Sequence, residues 1–277
     1  MSKAFAPANI SCVFKIYQHK NPRWMGSYGF GFTLNEGVIA RVLKAKRNEA
    51  VFNGVSIRFP AVISVISKLT REKIRVYIES KLPLGCGFGL SGASALATAY
   101  AINDLLKLKK SNKELGIVAH TADAENQTGL GDVVNQFYGG FCIKLKPSSH
   151  FEIKKINLND TGVYCRYFSK ISTKSIIINS KIRDKINSAA DDSLKKIQKL
   201  LKSNKNKIKF KDVIKISREF SIKSGLLKDK KTIKTIKSIE KNKGNASMIM
   251  LGNAVFSDKA FDGATNYRIS NQGAHLS

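Results

Sequence analysis

The spacing of hydrophobic and polar residues predicts mainly strands at the start of the chain. Short apolar and aromatic runs broken by Gly, Pro and Asn mark strand-and-turn segments around Ala4–Tyr17, Gly29–Val42 and Ala50–Ile57. Apolar and polar positions alternate along Lys73–Ser80, which is the pattern of a half-buried strand. A further strand is predicted at Phe141–Leu145. These segments supply the β part of a mixed α and β first half.

Helical spacing begins after a glycine-rich loop at Lys81–Gly92. Apolar residues recur every three to four positions along Ala93–Leu106, which predicts the first helix. A second helix starts at Ser111–Glu114, a capping box that satisfies exposed backbone N–H groups, and continues to about Glu125. A third, short helix is predicted over Asp132–Tyr138, where two glycines end it.

The pattern changes beyond about residue 150, where lysine-rich amphipathic segments dominate. Ser175–Asn179 predicts a strand. Three segments have the spacing of amphipathic helices: Asp184–Leu201, Lys211–Ser221 and Thr232–Lys241. Ala246–Phe256 returns to strand-and-turn character, and a further strand is expected in the tail from Asp258. Two α+β domains are therefore predicted, over residues 1–155 and 156–277.

The composition adds a strongly basic charge to this picture. The 277 residues are 43% apolar, which predicts a folded core, and 48 basic against 20 acidic side chains give a formal net charge of +28. A pI near 10.0 would suit nucleic-acid binding, but no RNP-like motif, zinc finger or helix-turn-helix signature accompanies the lysines. We interpret the lysines as a solvated face that attracts anionic substrates, and we expect no specific nucleic-acid partner.

Neither a membrane span nor a secreted disulfide framework is predicted. No stretch approaches the roughly 18 consecutive apolar residues of a membrane helix, and the N-terminal segment lacks the apolar region of a secretory signal. The four cysteines are scattered without a Cys-x-x-Cys pair, which argues against a structural zinc site and fits a reducing compartment. The expected location is the cytoplasm, with no membrane partner.

The glycine-rich loop is the candidate anion site. Pro83-Leu-Gly-Cys-Gly-Phe-Gly-Leu-Ser-Gly-Ala93 lets backbone N–H groups turn inward around a phosphate, and the following helix adds its positive N-terminal end. A dinucleotide fingerprint or an NTPase P-loop fits less well, because the required acidic residue and lysine are not in place. A tight strand–helix connection is the remaining alternative. The residues predicted to surround phosphate are Pro83, Gly85, Gly87, Phe88, Gly89, Leu90, Ser91, Gly92 and Ala93.

The pattern P-x-x-x-G-[LF]-x-x-S-[SG]-A in this loop resembles the phosphate motif of the GHMP kinase superfamily. Ala6–Ile10 is similar to the first motif of that superfamily, with Ala8-Asn9 in place of the usual Gly-Lys. Ser247–Phe256 is similar to the third motif, whose glycine turn would bring Gly252 to the nucleotide phosphates.

Within the superfamily, the chain is most similar to the archaeal pantoate kinase family. The similarity lies in the glycine loop, in Ala119–Asn126, in Thr128–Val133 and in a substrate-side loop at Asn21–Gly31. It implies ATP-dependent phosphorylation of pantoate to 4-phosphopantoate, a step toward coenzyme A. The alternatives are a homoserine or mevalonate type of GHMP kinase and, in another class, a catalytically silent basic nucleic-acid-binding protein.

The resemblance also implies a fold and a set of ligands. The fold is α+β, with a left-handed βαβ unit in the N-terminal domain and a ferredoxin-like C-terminal domain, and the active site lies between them. ATP and Mg²⁺ are the expected cofactors, and ATP and pantoate are the expected ligands. A homodimer remains an open alternative to a monomer.

Four side chains are candidates for the chemistry of phosphoryl transfer. Ser91 matches the magnesium-binding hydroxyl of the superfamily, with a helix N-cap as its alternative role. Glu125 is the candidate magnesium carboxylate, with Asp123 second, and ordinary exposed carboxylates are the alternative. An anion in the last turn of a helix opposes the helix dipole, so stability alone would favour lysine there. Asp132 matches the aspartate that accepts the proton of the acceptor in many GHMP kinases, and an N-cap is again the alternative.

Candidates for binding the acceptor follow from the first motif and the substrate-side loop. Asn9 belongs to the first motif, and Ser27 lies in the loop. Arg23 is included because a planar guanidinium can bind the pantoate carboxylate through two parallel hydrogen bonds. His19 and His120 are interpreted as ordinary structural residues.

Overall fold

The strands and helices alternate as an α+β chain. The structure is a computed structural model that describes residues 1–171 and 173–277. Its strands are β1 (Ser2–Tyr17), β2 (Gly26–Lys44), β3 (Glu49–Phe52), β4 (Val55–Ile57), β5 (Ile74–Glu79), β6 (Phe141–Lys144), β7 (Lys154–Ile156), β8 (Gly162–Lys170), β9 (Ala246–Met248), β10 (Gly252–Ser257), β11 (Thr265–Arg268) and β12 (His275–Leu276). Its helices are α1 (Pro60–Leu69), α2 (Leu90–Leu106), α3 (Asn112–Glu125), α4 (Asp132–Tyr138), α5 (Thr173–Ile178), α6 (Ser180–Ser203), α7 (Phe210–Lys223) and α8 (Lys230–Lys241).

The long antiparallel pair β1–β2 is the centre of the first sheet. That sheet has the order β12-β1-β2-β5-β3-β4, and β6 and β7 continue it beside β2. β3 and β5 run parallel, and α1 lies in the connection between them. The register of β1 against β2 shifts between Pro7 and Asn9 and again between Ser11 and Val13. Such irregularities redirect side chains, and these two occur beside Asn9 and Ser11, of which Ser11 lines the cavity described below.

The second sheet comes from the later part of the chain. Its order is β11-β8-β10-β9, with antiparallel pairing throughout. Asn187 on α6 joins this part to the first sheet, because its side-chain amide bonds the backbone N–H and C=O of Ile16 at 2.7 and 3.1 Å. The tail then returns, and β12 pairs with β1. The domain boundary between residues 155 and 156 stays a prediction.

Helix α2 is buried along most of its length and fixes the position of the glycine loop. Small residues such as Ala93, Ala97 and Ala101 are 0% exposed, which lets the helix pack closely against β1, β2, α1 and α3. The loop that enters α2 is therefore anchored to the most buried helix of the first half. Fully buried aromatic side chains from both parts of the chain fill the core, among them Phe30, Phe32, Phe88, Phe220 and Phe256.

Most predicted elements of the first half are confirmed. The capping box at Ser111 is present, with Glu114 bonded back to the Ser111 N–H at 2.8 Å, and the helix over Asp132–Tyr138 has the predicted bounds. Helix α1 was not predicted, although Pro60 stands at its first position and its buried residues follow helical spacing. Within the two described ranges, no helix has both the length and the apolar character needed to cross a bilayer.

The predicted strand at Ser175–Asn179 is wrong. Helix α5 covers most of that segment, and Asn179 caps α6 by accepting a hydrogen bond from Ile182 N at 3.0 Å. The run of isoleucines favours a strand by intrinsic propensity, but such preferences depend strongly on context. The strand of this region lies earlier, at β8, where β10 and β11 pair with its two edges. The predicted helices of the second half are confirmed as α6, α7 and α8.

Candidate active site

A cavity of about 350 Å³ lies between the glycine loop and the turn that leads into α4. Strand β1, the segment before α1, α5 and the turn before β10 complete its walls. Its polar and charged lining includes Ser11, Ser27, Arg58, Ser91, Asp132 and Lys174. The cavity therefore joins the predicted phosphate loop to the predicted proton acceptor.

The glycine loop adopts a conformation that requires its glycines. Gly85, Gly87 and Gly89 have φ angles of +83°, +88° and +64°, a region that L-residues rarely adopt. A Cβ on Gly87 would also lie 2.8 Å from the carbonyl oxygen of Met250. Alternating left-handed residues curl a backbone so that successive N–H groups can surround one anion. The loop thus has the form expected of a phosphate cradle.

The N-terminus of α2 opens directly from this loop. Gly89 occupies the N-cap position and supplies no side-chain cap, so the first N–H groups of the helix and its positive end are available to an anion. The interpretation of Ser91 as the N-cap is therefore wrong. The Ser91 hydroxyl oxygen is buried and has no hydrogen-bond partner in the described part of the chain. A buried hydroxyl without a partner at a cavity wall is suited to a ligand.

Asp123 is buried beside the start of α2. Thr128 Oγ1 donates a hydrogen bond of 2.6 Å to Asp123 Oδ1, and a Cβ on Gly129 would overlap with the other carboxylate oxygen. Burial raises the pKa of Asp123 to about 7, and the charge of Asp132 adds to this rise, while the Thr128 hydroxyl opposes it and the Ser91 hydroxyl, which is near but forms no well-shaped hydrogen bond, opposes it less. A cation in this position would stabilise the buried carboxylate.

Asp132 is the first residue of α4, but it does not cap the helix. Gly131 is at the N-cap, and no side-chain cap bond is formed. The carboxylate instead faces β1, where Asp132 Oδ1 accepts hydrogen bonds from Asn9 Nδ2 at 2.6 Å and from Ser11 Oγ at 3.2 Å. Burial raises the pKa of Asp132, whereas Lys144 and these two donors lower it. The N-cap alternative for Asp132 is therefore wrong.

Lys144 on β6 is a buried cation next to this carboxylate. Its side chain is almost inaccessible, and Nζ donates to Asn135 Oδ1 at 3.0 Å and to the Gly131 carbonyl at 3.3 Å. Burial lowers the pKa of Lys144, and the charge of Asp132 raises it. The Ser27 hydroxyl lies on the same side, since a Cβ on Gly131 would overlap with Ser27 Oγ and lie 3.4 Å from Lys144 Nζ. A hydroxyl and a carboxylate therefore line one end of the cavity, and a buried cation lies behind them.

Comparison with known proteins decides the family. Residues 57–140 match the family model of the GHMP kinases N terminal domain. A pantoate kinase from Methanocaldococcus jannaschii is 32% identical over 257 residues, which cover 91% of this chain and 90% of the relative. The chain belongs to the GHMP kinase superfamily, in its pantoate kinase branch.

Two further comparisons differ in how much of the chain they cover. A homoserine kinase from Sulfurisphaera tokodaii is 49% identical to this GHMP kinase, but over 90 residues that cover 32% of the chain and 29% of the relative. A solved phosphotransferase related to the CoA biosynthesis pathway has the same fold, with a TM-score of 0.83 and 24% identity over 99% of this chain and 98% of that one. The GHMP kinase fold predicted from the sequence is confirmed.

This GHMP kinase gathers most of the predicted phosphate residues at the cavity. Those that line it are Gly85, Gly87, Phe88, Gly89, Leu90 and Ser91. Gly252 lies behind the loop, where a Cβ would overlap with the carbonyl oxygen of Cys86. Pro83, Gly92 and Ala93 flank the lining, and Ala93 belongs to the buried core of α2. The predicted motif thus supplies both the wall of the cavity and its support.

Three of the predicted side chains are not free to meet a ligand in the cavity. Glu125 lies outside the lining and pairs with Lys68 Nζ at 2.9 Å. Arg23 also lies outside it, in a 3₁₀ turn at Pro22–Trp24, where its guanidinium stacks 5.1 Å from the Trp24 ring. Asn9 is 0% exposed, and both ends of its amide are hydrogen-bonded within the protein.

Three charged residues in or behind the cavity wall are absent from the sequence predictions. Lys144 ends the strand Phe141–Lys144, which is buried throughout, and a lysine in an apolar strand is a signal that could have been noticed. Arg58 and Lys174 line the cavity from the segment before α1 and from α5. Nothing in their local sequence separates them from the many other basic residues of this chain.

Proposed function

We propose that this chain transfers the terminal phosphoryl group of ATP to the 4-hydroxyl of pantoate, forming 4-phosphopantoate and ADP. The observation that carries the proposal is that a phosphate-type glycine loop, Asp132 and Ser27 line one cavity, and that the buried cation Lys144 lies behind its wall. The similarity to a pantoate kinase over nine-tenths of both chains supports the same acceptor.

The triphosphate of ATP is proposed to lie along the glycine loop and the N-terminus of α2. The backbone N–H groups of Gly85–Ser91 and the helix dipole would bind the phosphate oxygens. Arg58 and Lys174 add positive charge to the cavity wall, where they would stabilise the charge of the transferring group. The apolar side chains of Phe59 and Leu84 make that part of the lining suitable for the base.

Ser91 and Asp123 are proposed to hold Mg²⁺. The unpartnered Ser91 hydroxyl and the buried Asp123 carboxylate beside it fit an oxygen-binding cation. No group of three or more His, Cys, Asp or Glu residues suited to a metal occurs among the residues described. That does not argue against Mg²⁺, because one carboxylate and phosphate oxygens can suffice. When bound, Mg²⁺ would orient the phosphates and neutralise their charge. Asp123 thus replaces Glu125 as the proposed metal ligand.

The acceptor is proposed to bind at the Lys144 end of the cavity. Lys144 lies behind this end of the cavity without a carboxylate within ion-pair distance in the described structure, so its charge would attract the carboxylate of pantoate from behind the wall. Ser27 would hydrogen-bond the same acceptor. Asp132 would then accept the proton of the 4-hydroxyl while that oxygen forms its bond to the terminal phosphorus, and the bond from phosphorus to the ADP oxygen breaks.

The acceptor can be identified by measuring ADP release from ATP and Mg²⁺ with pantoate, homoserine, mevalonate and pantothenate in parallel. We expect pantoate to be preferred, because its hydroxyl matches Asp132 and its carboxylate suits the positive charge of Lys144 behind that end of the cavity. Turnover of homoserine or mevalonate with inert pantoate would move the protein to a sibling family and overturn the proposal. The partial match to a homoserine kinase makes that enzyme type the alternative to test.

A further inference from the structure

Four side chains form a continuous chain of hydrogen bonds behind the acceptor end of the cavity. Lys144 Nζ donates to Asn135 Oδ1 at 3.0 Å, and Asn135 Nδ2 donates to Asn9 Oδ1 at 2.9 Å. Asn9 Nδ2 then donates to Asp132 Oδ1 at 2.6 Å. Asn9 and Asn135 are 0% exposed, so water does not compete for these bonds.

The lysine fixes the direction of the whole chain. An ammonium group can only donate hydrogen bonds, so the Asn135 atom that faces Lys144 has to be the carbonyl oxygen. The Asn135 NH₂ group then faces Asn9, which has to present its own oxygen and therefore points its NH₂ group at Asp132. The last member of the chain has to accept, and an ionised carboxylate is the best acceptor available.

We infer that Asn135 and Asn9 act as a one-directional relay from Lys144. The relay holds Asp132 as a carboxylate, and it occupies Oδ1 so that Oδ2 is left for the acceptor hydroxyl. This inference rests on the proposed function, in which Asp132 accepts the proton. Asp132 Oδ2 receives no hydrogen bond from the described residues, whereas Oδ1 receives two. Asn9 and Asn135 are thus positioning residues rather than catalytic residues.

The same relay also connects the acceptor end to the phosphate loop. The backbone N–H of Asn9 donates to the carbonyl of Phe88 at 3.0 Å, within the glycine loop. One residue therefore sets the separation between the carboxylate that accepts the proton and the loop that binds phosphate. The positive charge that orients the relay comes from Lys144 on β6.

The charges around Asp132 come from several elements. Lys144 on β6 lowers the pKa of Asp132, and Asp123 on α3 is the neighbouring carboxylate. Arg58 and Lys174 line the same cavity. The relay differs from these through-space effects because it acts through the orientation of two neutral amides. A test therefore has to separate the orientation of the amides from the addition of charge.

Two variants of Asn135 make that separation. Asn135→Asp would bond Lys144 with one oxygen and present its other oxygen to Asn9, so the Asn9 amide turns over and its oxygen meets Asp132. Asn135→Leu breaks the relay without adding a charge. Asn103→Asp is the matched control, because Asn103 makes comparable bonds to Lys110 at the far end of α2. The titration of the Asp132 carboxyl is followed by carbon-13 NMR, with Asp132→Asn to assign its signal.

We expect both Asn135 variants to raise the pH at which Asp132 titrates by about one unit or more, and the Asn103 control to leave it unchanged. An unchanged titration in both variants would overturn the relay. A shift in Asn135→Asp but not in Asn135→Leu would also overturn the relay, because the added charge would then explain the result. The NMR titration does not depend on turnover, so it is separate from the proposed function. A fully active Asp132→Asn enzyme would remove the catalytic role while leaving the hydrogen-bond relay in place.

Discussion

Asn9 Nδ2 lies 2.6 Å from Asp132 Oδ1, although 123 residues separate them in the sequence. Asn9 comes from β1 beside a shift in strand register, and Asp132 opens α4. The bond turns the Asp132 carboxylate away from the end of its own helix and toward the cavity region. Asn9 also bonds the glycine loop, because its backbone N–H donates to the Phe88 carbonyl. One residue therefore contacts both the proposed proton acceptor and the proposed phosphate loop.

Ser91→Ala should raise the Mg²⁺ concentration needed for half-maximal turnover by about tenfold, because a bond to a charged group contributes roughly 1.5–3 kcal/mol. Its stability should change little, since the Ser91 hydroxyl has no partner within the described residues. Ser94→Ala is the matched control, because the Ser94 hydroxyl is also buried without a partner there but lies outside the cavity lining. Mg²⁺ titrations of turnover that coincide for both variants would contradict the role of Ser91.

Asp123→Asn and Glu125→Gln distinguish the two candidate metal carboxylates. Asp123→Asn should increase the Mg²⁺ requirement strongly, because it removes the buried charge beside Ser91, while Thr128 can still donate to the amide oxygen. Glu125→Gln should leave that requirement within about twofold, because an exposed pair with Lys68 contributes little. Mg²⁺ titrations of turnover measure both effects. The reverse order would restore Glu125 as the metal ligand.

Gly87→Ala tests whether the glycine loop forms the phosphate cradle. Alanine at φ +88° should cost about 1–2 kcal/mol of stability, and its Cβ would press on the Met250 carbonyl. Gly54→Ala has the same backbone penalty at φ +82°, but open space surrounds its Cβ. Only Gly87→Ala should weaken ATP binding, by about tenfold or more, as measured by calorimetry. Equal ATP affinity in the two variants would place the nucleotide elsewhere.

Features with a local signal could be predicted from the sequence. The capping box at Ser111, the bounds of Asp132–Tyr138 and the glycine loop depend on residues that are neighbours in the chain. The superfamily resemblance then supplied the roles of Ser91 and Asp132, but only the structure brings these two residues to one cavity.

The errors arose where distant contacts override local preferences. Asp132 has the local signature of a helix N-cap, but the donors on β1 hold its carboxylate instead. The relay through Asn135 to Lys144 could not be predicted, because α4 and β6 contribute residues that only the folded chain places side by side. Glu125 was favoured over Asp123 because helix periodicity alone did not show which of the two carboxylates is buried.

The proposed reaction depends on Asp132 as the proton acceptor, and Asp132→Asn tests this role. Asparagine keeps an oxygen that can accept from Asn9 and Ser11, so the fold and the ATP affinity should be retained. It cannot accept the proton of the hydroxyl, so turnover of pantoate should fall by roughly 10²–10⁴-fold. Asp104→Asn is the matched control, because Asp104 pairs with Lys107 at the far end of α2 and should leave turnover unchanged.

The decisive measurement is the rate of pantoate-dependent ADP release by Asp132→Asn at saturating ATP, Mg²⁺ and pantoate, beside the wild-type and Asp104→Asn enzymes. If Asp132 accepts the proton, we expect a loss of at least about a hundredfold in a folded variant that still binds ATP. A loss of less than about tenfold would contradict it, because positioning alone would then explain the catalysis and Asp132 would not be the proton acceptor.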